Sequence, residues 1–497
     1  MKKTTGFDRS KTRQWHSATQ AVRGGTWRSE HGETSEALFL TSGYTYESAE
    51  EVAARFAGEE QGMTYSRLQN PTVAMLEERI ALMEGAEACR VQATGMAAMT
   101  TALLCQLSAG DHIVAAKAAF GSCRWLVDHL CPRFGIETTV VDGRANDAWE
   151  KAIKPNTKVF FFETPANPTM DIVDMKHVCG VAKAHGITTV VDNAFATAVL
   201  QRPMDFGADV VAYSATKLMD GQGRVLAGAV CGTEKFINDV LLPFQRNTGP
   251  NLSPFNAWVV LKGLETLDLR ARRQSENALA VGKAIESRVA RMLHPGLASH
   301  PQHNLAMSQM EACGPIFSFV LDGGREKAMA LLNALELVDI SNNIGDLAQS
   351  VLPPRVHDAL WHQCRSARRY GRGRRNAPDQ YRARRSARHH RRSGPGIDPR
   401  GALGEIWHGD DRLLLPLRGD HRVDHGAGSR KLPARTIASG AWTLVLGLSC
   451  PRGESWRDRR AADQPPLADQ RRARPGQRSR GRGCRRRTAA DRPGRRV

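Results

Sequence analysis

From residue 112 onward the chain alternates short β-branched and apolar runs with longer segments that are apolar at helical spacing. His112-Ile-Val-Ala-Ala, Glu137-Thr-Thr-Val-Val, Lys158-Val-Phe-Phe-Phe, Thr188-Thr-Val-Val-Asp192 and Asp209-Val-Val-Ala-Tyr predict strands, and residues 123–130 and 175–185 predict helices. Such runs suit strands buried on both faces, so the pattern predicts an α/β fold with a largely parallel sheet covered by helices. Ligands of such sheets gather at the carboxyl ends of the strands. Ahead of this region, residues 73–84 place Met75, Leu76, Ile80 and Met83 on one helical face and stop at Gly85. Residues 1–70 are polar, with one helix expected over 48–56, and cannot build a core; an arm reaching onto a neighbouring subunit is one use for them. A helix through Trp258, Leu261 and Leu264 and a strand at Ile316-Phe-Ser-Phe-Val-Leu open a second, smaller α+β domain. The expected division is an arm (1–70), a large domain (71–252), a small domain (253–346) and a tail (347–497).

Composition separates that tail from the rest. Residues 347–497 carry 35 Arg, one Lys (Lys431) and 13 acids, a net +23, and the whole chain carries +19, which leaves the first 346 residues at −4. The front is an ordinary globular composition with no attraction to nucleic acid or membrane. The ten cysteines stand singly, without CxxC pairs, which argues for reduced thiols and against a disulfide scaffold or metal site. No apolar leader or membrane-length run is present. A soluble cytoplasmic protein is expected.

Three stretches carry candidate chemistry. Asp209-Val-Val-Ala-Tyr-Ser214-Ala-Thr216-Lys217-Leu-Met-Asp-Gly-Gln-Gly puts a lysine behind two hydroxyls at a strand end. A lysine there can form a Schiff base with an aldehyde, and the hydroxyls can donate to a phosphate, the two requirements of pyridoxal 5'-phosphate (PLP). Alone, the pattern equally suits a surface lysine in a loop. Thr94-Gly95-Met96-Ala-Ala predicts a glycine turn opening a helix, whose free N–H groups and positive dipole end seat a phosphate, or which simply starts a helix. Asp192 ends a fully apolar strand and must find a partner; a protonated pyridine nitrogen is one, and a cap on the next turn is another. The lysine at the next strand end favours the cofactor.

Taken together, Tyr65-Ser-Arg67 with Asn70-Pro-Thr, Thr94-Gly95-Met96-Ala-Ala, Glu163-Thr-Pro-Ala-Asn167-Pro, Val191-Asp192-Asn and Ser214-Ala-Thr-Lys217-x-x-Asp-Gly-Gln-Gly resemble the Cys/Met-metabolism PLP-dependent enzymes, the cystathionine γ-synthase-like members of fold type I. The resemblance runs from about residue 18 to about 346. It implies that Lys217 is the Schiff-base lysine and proton shuttle, and that Asp192 pairs with the pyridine nitrogen. It assigns Gly95, Met96, Ser214 and Thr216 to the phosphate, joined by Tyr65 and Arg67 of a neighbouring subunit, so that two subunits of a homodimer, within a homotetramer, share each site. Asn167 is expected beside the cofactor's 3'-oxygen and the substrate carboxylate. Where most of the family stacks a tyrosine on the ring, this chain has Ala119-Phe120-Gly-Ser-Cys, which resembles the O-succinylhomoserine sulfhydrylase branch. The implied reaction is γ-replacement: O-succinylhomoserine plus sulfide gives homocysteine plus succinate. Cystathionine γ-synthase, using cysteine, is the runner-up, and γ-lyase chemistry is a further alternative.

The family pattern continues through Val338-Asp-Ile-Ser-Asn-Asn-Ile344-Gly-Asp346 and stops. A His-Pro-Ala-Ser-Thr-Thr-His segment and a Met-Leu-Arg-x-Ser-x-Gly segment, whose arginine grips the substrate carboxylate, should follow. Read one nucleotide later, the degenerate codons of residues 353–361 permit His-Pro-Ala-Ser-Thr-Thr-His-Ser-Gly, and those of 376–383 permit Met-Leu-Arg-Ile-Ser-Ile-Gly-Leu. A frameshift near Asp346 is inferred. A GC-rich gene out of frame yields Arg, Gly, Pro and Ala, which accounts for the tail's composition. Such a tail is expected to be disordered or packed without a core, leaving the small domain incomplete and turnover impaired. An alternative of another class, an enzyme with a nucleic-acid-binding tail, is opposed by the single lysine and the lack of interleaved aromatics.

Overall fold

Seven strands form the main sheet, the five predicted runs as β2–β6 together with two further strands: β1 (Ala88–Gln92), β2 (His112–Ala116), β3 (Glu137–Val141), β4 (Thr157–Glu163), β5 (Thr188–Asp192), β6 (Val210–Tyr213) and β7 (Gly228–Gly232). Their spatial order is β1-β7-β6-β5-β4-β2-β3, with β7 antiparallel to both neighbours and the run from β6 to β3 parallel. The computed structural model describes residues 9–341, 343–346, 350–352 and 442–447. These fall within the unit Met1–Cys450, and the second unit, Pro451–Val497, lies outside the described residues.

Apolar residues fill both faces of this sheet. Phe160 and Phe162 join one buried cluster, with Trp149 edge-on to Phe162, while Val159 and Phe161 join another. Successive strand residues point to opposite faces, so a continuous apolar run is what a doubly covered strand requires. The helix Pro71–Glu84 is capped by Asn70, whose carbonyl accepts from Thr72 N at 3.0 Å, with Pro71 in its first turn. It ends at Gly85, whose φ of +78° is the left-handed conformation that favours glycine.

Two local expectations are corrected. The helix expected over 123–130 begins as Gly121–Trp125 and continues as a wider π-helical turn, Leu126–Leu130, before a 3-10 turn at Cys131–Phe134. Strand β7, the short apolar run Ala229-Val-Cys between two glycines, is not among the expected strands; Gly228 is required there, since a Cβ would meet the Thr94 carbonyl oxygen at 2.2 Å.

A second sheet has the order β10-β11-β12-β9-β8, built from β8 (Arg291–Leu293), β9 (Ile316–Leu321), β10 (Asp339–Ile340), β11 (Ser350–Leu352) and β12 (Trp442–Gly447). A separate cluster, including Ala278, Leu297, Phe317, Phe319 and Leu332, packs against it. Strands β11 and β12 come from the tail expected to lack order, and at these nine residues that expectation is corrected. Trp442-Thr-Leu-Val-Leu-Gly has strand-forming composition, and all six of its residues pair antiparallel with β9, satisfying backbone groups that would otherwise form an exposed edge. The rest of the tail, including both shifted-frame segments beyond residue 352, lies outside the described residues.

Candidate active site

Strands β4, β5 and β6 end side by side, and the candidate residues follow from those ends. Lys217 lies four residues past β6 in a stretch held from below. The buried Arg270, on the helix Leu267–Ile285, donates to the carbonyls of Leu218 and Gly263, each at 2.8 Å. Gly221 stands directly over that guanidinium at φ +64°, and a Cβ there would meet Arg270 Nη1 at 1.9 Å. Asp220 is fully buried and pairs with Arg224 at 2.9 Å. Two of its carbonyls, those of Leu218 and Met219, and one carboxylate are held by charge-assisted bonds.

The Lys217 amine is largely buried, which pulls its pKa below the ordinary lysine value, against an opposing pull from Asp346. Its Nζ donates to Asn343 Oδ1 at 2.6 Å. A less basic lysine at a strand end is suited to attack a carbonyl.

Gly95 and Ser214 meet, as the phosphate reading requires. A Cβ on residue 95 would stand 2.5 Å from Ser214 Oγ, so glycine allows the helix Gly95–Leu104 to start against the end of β6. Thr94 caps that helix by accepting from Ala97 N at 3.0 Å, while the N–H groups of Gly95 and Met96 belong to the first turn, which has no intrahelical acceptors. Thr216 is placed differently. Its hydroxyl donates to the Ala227 carbonyl at 3.1 Å and accepts the Ala227 N–H at 2.9 Å, tying the lysine stretch to the chain entering β7.

Asp192 is buried and accepts the Ala194 N–H at 3.1 Å. Burial lifts its pKa well above the usual carboxylate range, so a cationic partner would be strongly favoured there. Its neighbour across the ladder is Glu163, equally buried and pushed up by desolvation and by the Asp192 charge. Glu163 accepts the Phe120 N–H at 2.6 Å and the Asn167 N–H at 3.2 Å, and so holds together two segments 47 residues apart in sequence. Glu163 was quoted within a motif but given no role by sequence reasoning; an acid closing an apolar strand, the signal used for Asp192, would have found it. Cys123 lies near both carboxyls, and burial together with their charge holds its thiol neutral. Its sulfur approaches Met96 Sδ at 3.9 Å, placing the Phe120 turn beside the start of the helix Gly95–Leu104.

Tyr65 and Arg67 lie elsewhere. The Arg67 guanidinium sits 5.6 Å from the Tyr65 ring centroid and donates to the Arg246 carbonyl, rather than to the Gly95–Ser214 corner of its own chain. Among the described residues no cluster of His, Cys, Asp and Glu could hold a metal ion, and no helix is long and apolar enough to cross a membrane.

Residues 18–371 match the family described as Cys/Met metabolism PLP-dependent enzyme, extending past the point where the motifs stop. The chain belongs to this family. An O-succinylhomoserine sulfhydrylase of Mycobacterium tuberculosis is 44% identical over 358 residues, spanning 70% of this chain and 88% of that protein. An L-methionine gamma-lyase of Treponema denticola is 39% identical over 342 residues, spanning 68% of this chain and 85% of that protein. A solved structure of a putative O-acetylhomoserine (thiol)-lyase from Campylobacter jejuni, containing N'-pyridoxyl-lysine-5'-monophosphate, superposes with a TM-score of 0.66 at 30% identity, over 69% of this chain and 90% of that one.

The cofactor of this PLP-dependent enzyme is therefore PLP, and the residues fit it. A less basic lysine, a glycine cradle against a serine hydroxyl and a buried carboxyl calling for a cation answer the aldehyde, the phosphate and the ring nitrogen respectively.

Proposed function

We propose that the chain performs γ-replacement on O-succinylhomoserine: the Cγ–O bond to succinate breaks, a Cγ–S bond to sulfide forms, and homocysteine and succinate leave. The observation that carries this reading is Phe120, held by Glu163 at the end of β4 where a ring-stacking residue is expected. Phenylalanine stacks but offers no phenol to serve as a base in elimination, which favours replacement over lyase chemistry. The 44% identity to a sulfhydrylase, against 39% to a lyase, points the same way.

Bound PLP supplies an electron sink that acidifies the substrate's carbon-bound hydrogens. In this reading Lys217 carries the aldehyde and then moves protons, and Asp192 keeps the ring nitrogen cationic. Gly95, Met96 and Ser214 hold the phosphate, and Asn167 orients the ring oxygen and the substrate carboxylate. Thr216 contributes mainly by fixing the lysine stretch, and Tyr65 and Arg67 act on a partner subunit's site. A cytoplasmic homotetramer, with the small domain starting near 253, completes the proposal. The segment after Asp346 is read as out of frame, and resequencing the gene around that codon tests this directly.

The reaction is tested by assaying the chain and a frame-corrected version with O-succinylhomoserine and either sulfide or cysteine. Homocysteine production with sulfide is expected; preference for cysteine would make the enzyme a cystathionine γ-synthase, and keto-acid release from methionine would make it a lyase.

A further inference from the structure

The only side-chain hydrogen bond described for the Lys217 amine goes to the segment that follows β10. Asn343 Oδ1 accepts it at 2.6 Å, and Asn343 Nδ2 donates to Asp346 Oδ2, also at 2.6 Å. The second bond decides the first: with the amide nitrogen turned to a carboxylate, the amide oxygen must face the lysine. The segment is built against the lysine stretch rather than merely near it. Gly345, at φ +96°, lies so close that a Cβ would stand 2.9 Å from the Leu218 nitrogen. Gln274, from the helix Leu267–Ile285, donates to the Asp346 carbonyl at 3.2 Å, and a Cβ on Gly223 would stand 3.1 Å from Asp346 Oδ2.

We propose that Asn343 is a further catalytic residue of this site, receiving the Lys217 amine through its amide oxygen whenever that amine is not bonded to the cofactor. The proposal rests on the reading of Lys217 as the cofactor lysine. A lysine that gives up the aldehyde and then moves protons needs a fixed resting position, and a neutral amide supplies one without the strong pull of a carboxylate in direct contact. The carboxylate in this network, Asp346, stands one hydrogen bond further back and polarises the amide. Two charges on and beneath the lysine stretch are engaged elsewhere: Asp220 with Arg224, and Arg270 with backbone carbonyls.

The test measures acylation of Lys217 in the full-length chain stripped of cofactor, using a limiting amine-directed acylating reagent and peptide mass spectrometry, with the exposed Lys158 and Lys176 as internal references. An accepted hydrogen bond favours the charged amine, so Asn343→Ala should expose more neutral amine and label faster. Asn343→Asp should hold the amine charged and label more slowly. Changes of about threefold each way, corresponding to about half a pK unit, are expected. A purely structural role would loosen the segment and move both variants in the same direction; that result, or wild-type rates in both, overturns the proposal. If the Ala chain misfolds, the near-isosteric Asp variant decides alone, slower labelling supporting the proposal and unchanged or faster labelling overturning it. Excess PLP should shield Lys217 in the wild type. Absence of shielding defeats the cofactor reading and the proposal with it, whereas shielding with unresponsive variants defeats the proposal alone.

Discussion

Glu163 and Asp192 are direct neighbours at the carboxyl ends of β4 and β5, two buried acids in one parallel register. Two carboxylates cannot both ionise cheaply in such a place, so they titrate as a pair. Their other contacts differ: Asp192 accepts a single local N–H, while Glu163 spans two loops. This division suits Asp192 to carry the charge that meets the cofactor and Glu163 to hold the walls.

Glu163→Gln should separate these roles. An amide offers one acceptor where the carboxyl offers two, so either Phe120 N–H or Asn167 N–H loses its partner, at a cost of about 1–3 kcal/mol. A lower melting temperature and weaker PLP retention, followed by thermal unfolding and by titration of the visible band, are expected. Unchanged retention would show that Glu163 does not position the Phe120 ring.

Gly95→Ala places a methyl group 2.5 Å from Ser214 Oγ and 2.9 Å from Ser214 Cα. The helix start and the end of β6 must part, costing about 1–3 kcal/mol. PLP affinity should fall by about tenfold or more, because the phosphate corner is the place that opens. Equilibrium dialysis against PLP measures it, and affinity equal to wild type would remove Gly95 from the site.

Lys217→Ala should abolish the visible absorbance of the loaded enzyme and lower turnover by on the order of 10³-fold or more. Arg67→Ala should weaken cofactor retention through loss of a charge-assisted phosphate contact made to a neighbouring subunit. Co-refolded mixtures of the two variants should regain activity, since some dimers then carry one intact site. Mixtures as inactive as their parents would argue that each chain builds its own.

The histidines beside the second sheet set an acid limit. His294 and His300 are buried, and burial lowers each to about 4. Their folded values lie below the usual 6.5, so the native chain binds fewer protons than the unfolded chain between those limits. Stability is full above about 6.5 and falls as pH drops toward 4, by on the order of 3 kcal/mol for each histidine. His294→Gln should flatten the dependence of denaturant midpoint on pH across that window; an unchanged slope would show that another group controls it.

Much of this protein is determined by local sequence. Four-residue apolar runs specify β2, β4 and β6 because a strand covered on both faces needs nothing else, while β3, a partly exposed edge, and β5 are marked by paired threonines and valines; strand ends identify Asp192 and Lys217 because a polar group closing such a strand must have a use. Tertiary structure alone decided the rest. The contact between Gly95 and Ser214 and the hold of Glu163 on Phe120 join segments whose separation in sequence carries no distance information. Strand β7 has only the short apolar run Ala229-Val-Cys between two glycines and is fixed by the two neighbouring strands that pair with it, and Trp442–Gly447 becomes a strand because β9 offers an edge of matching length. Asn343 shows the same limit most plainly: nothing in Ser-Asn-Asn-Ile-Gly-Asp marks it, and only the folding of that turn over Leu218 brings its amide to the lysine.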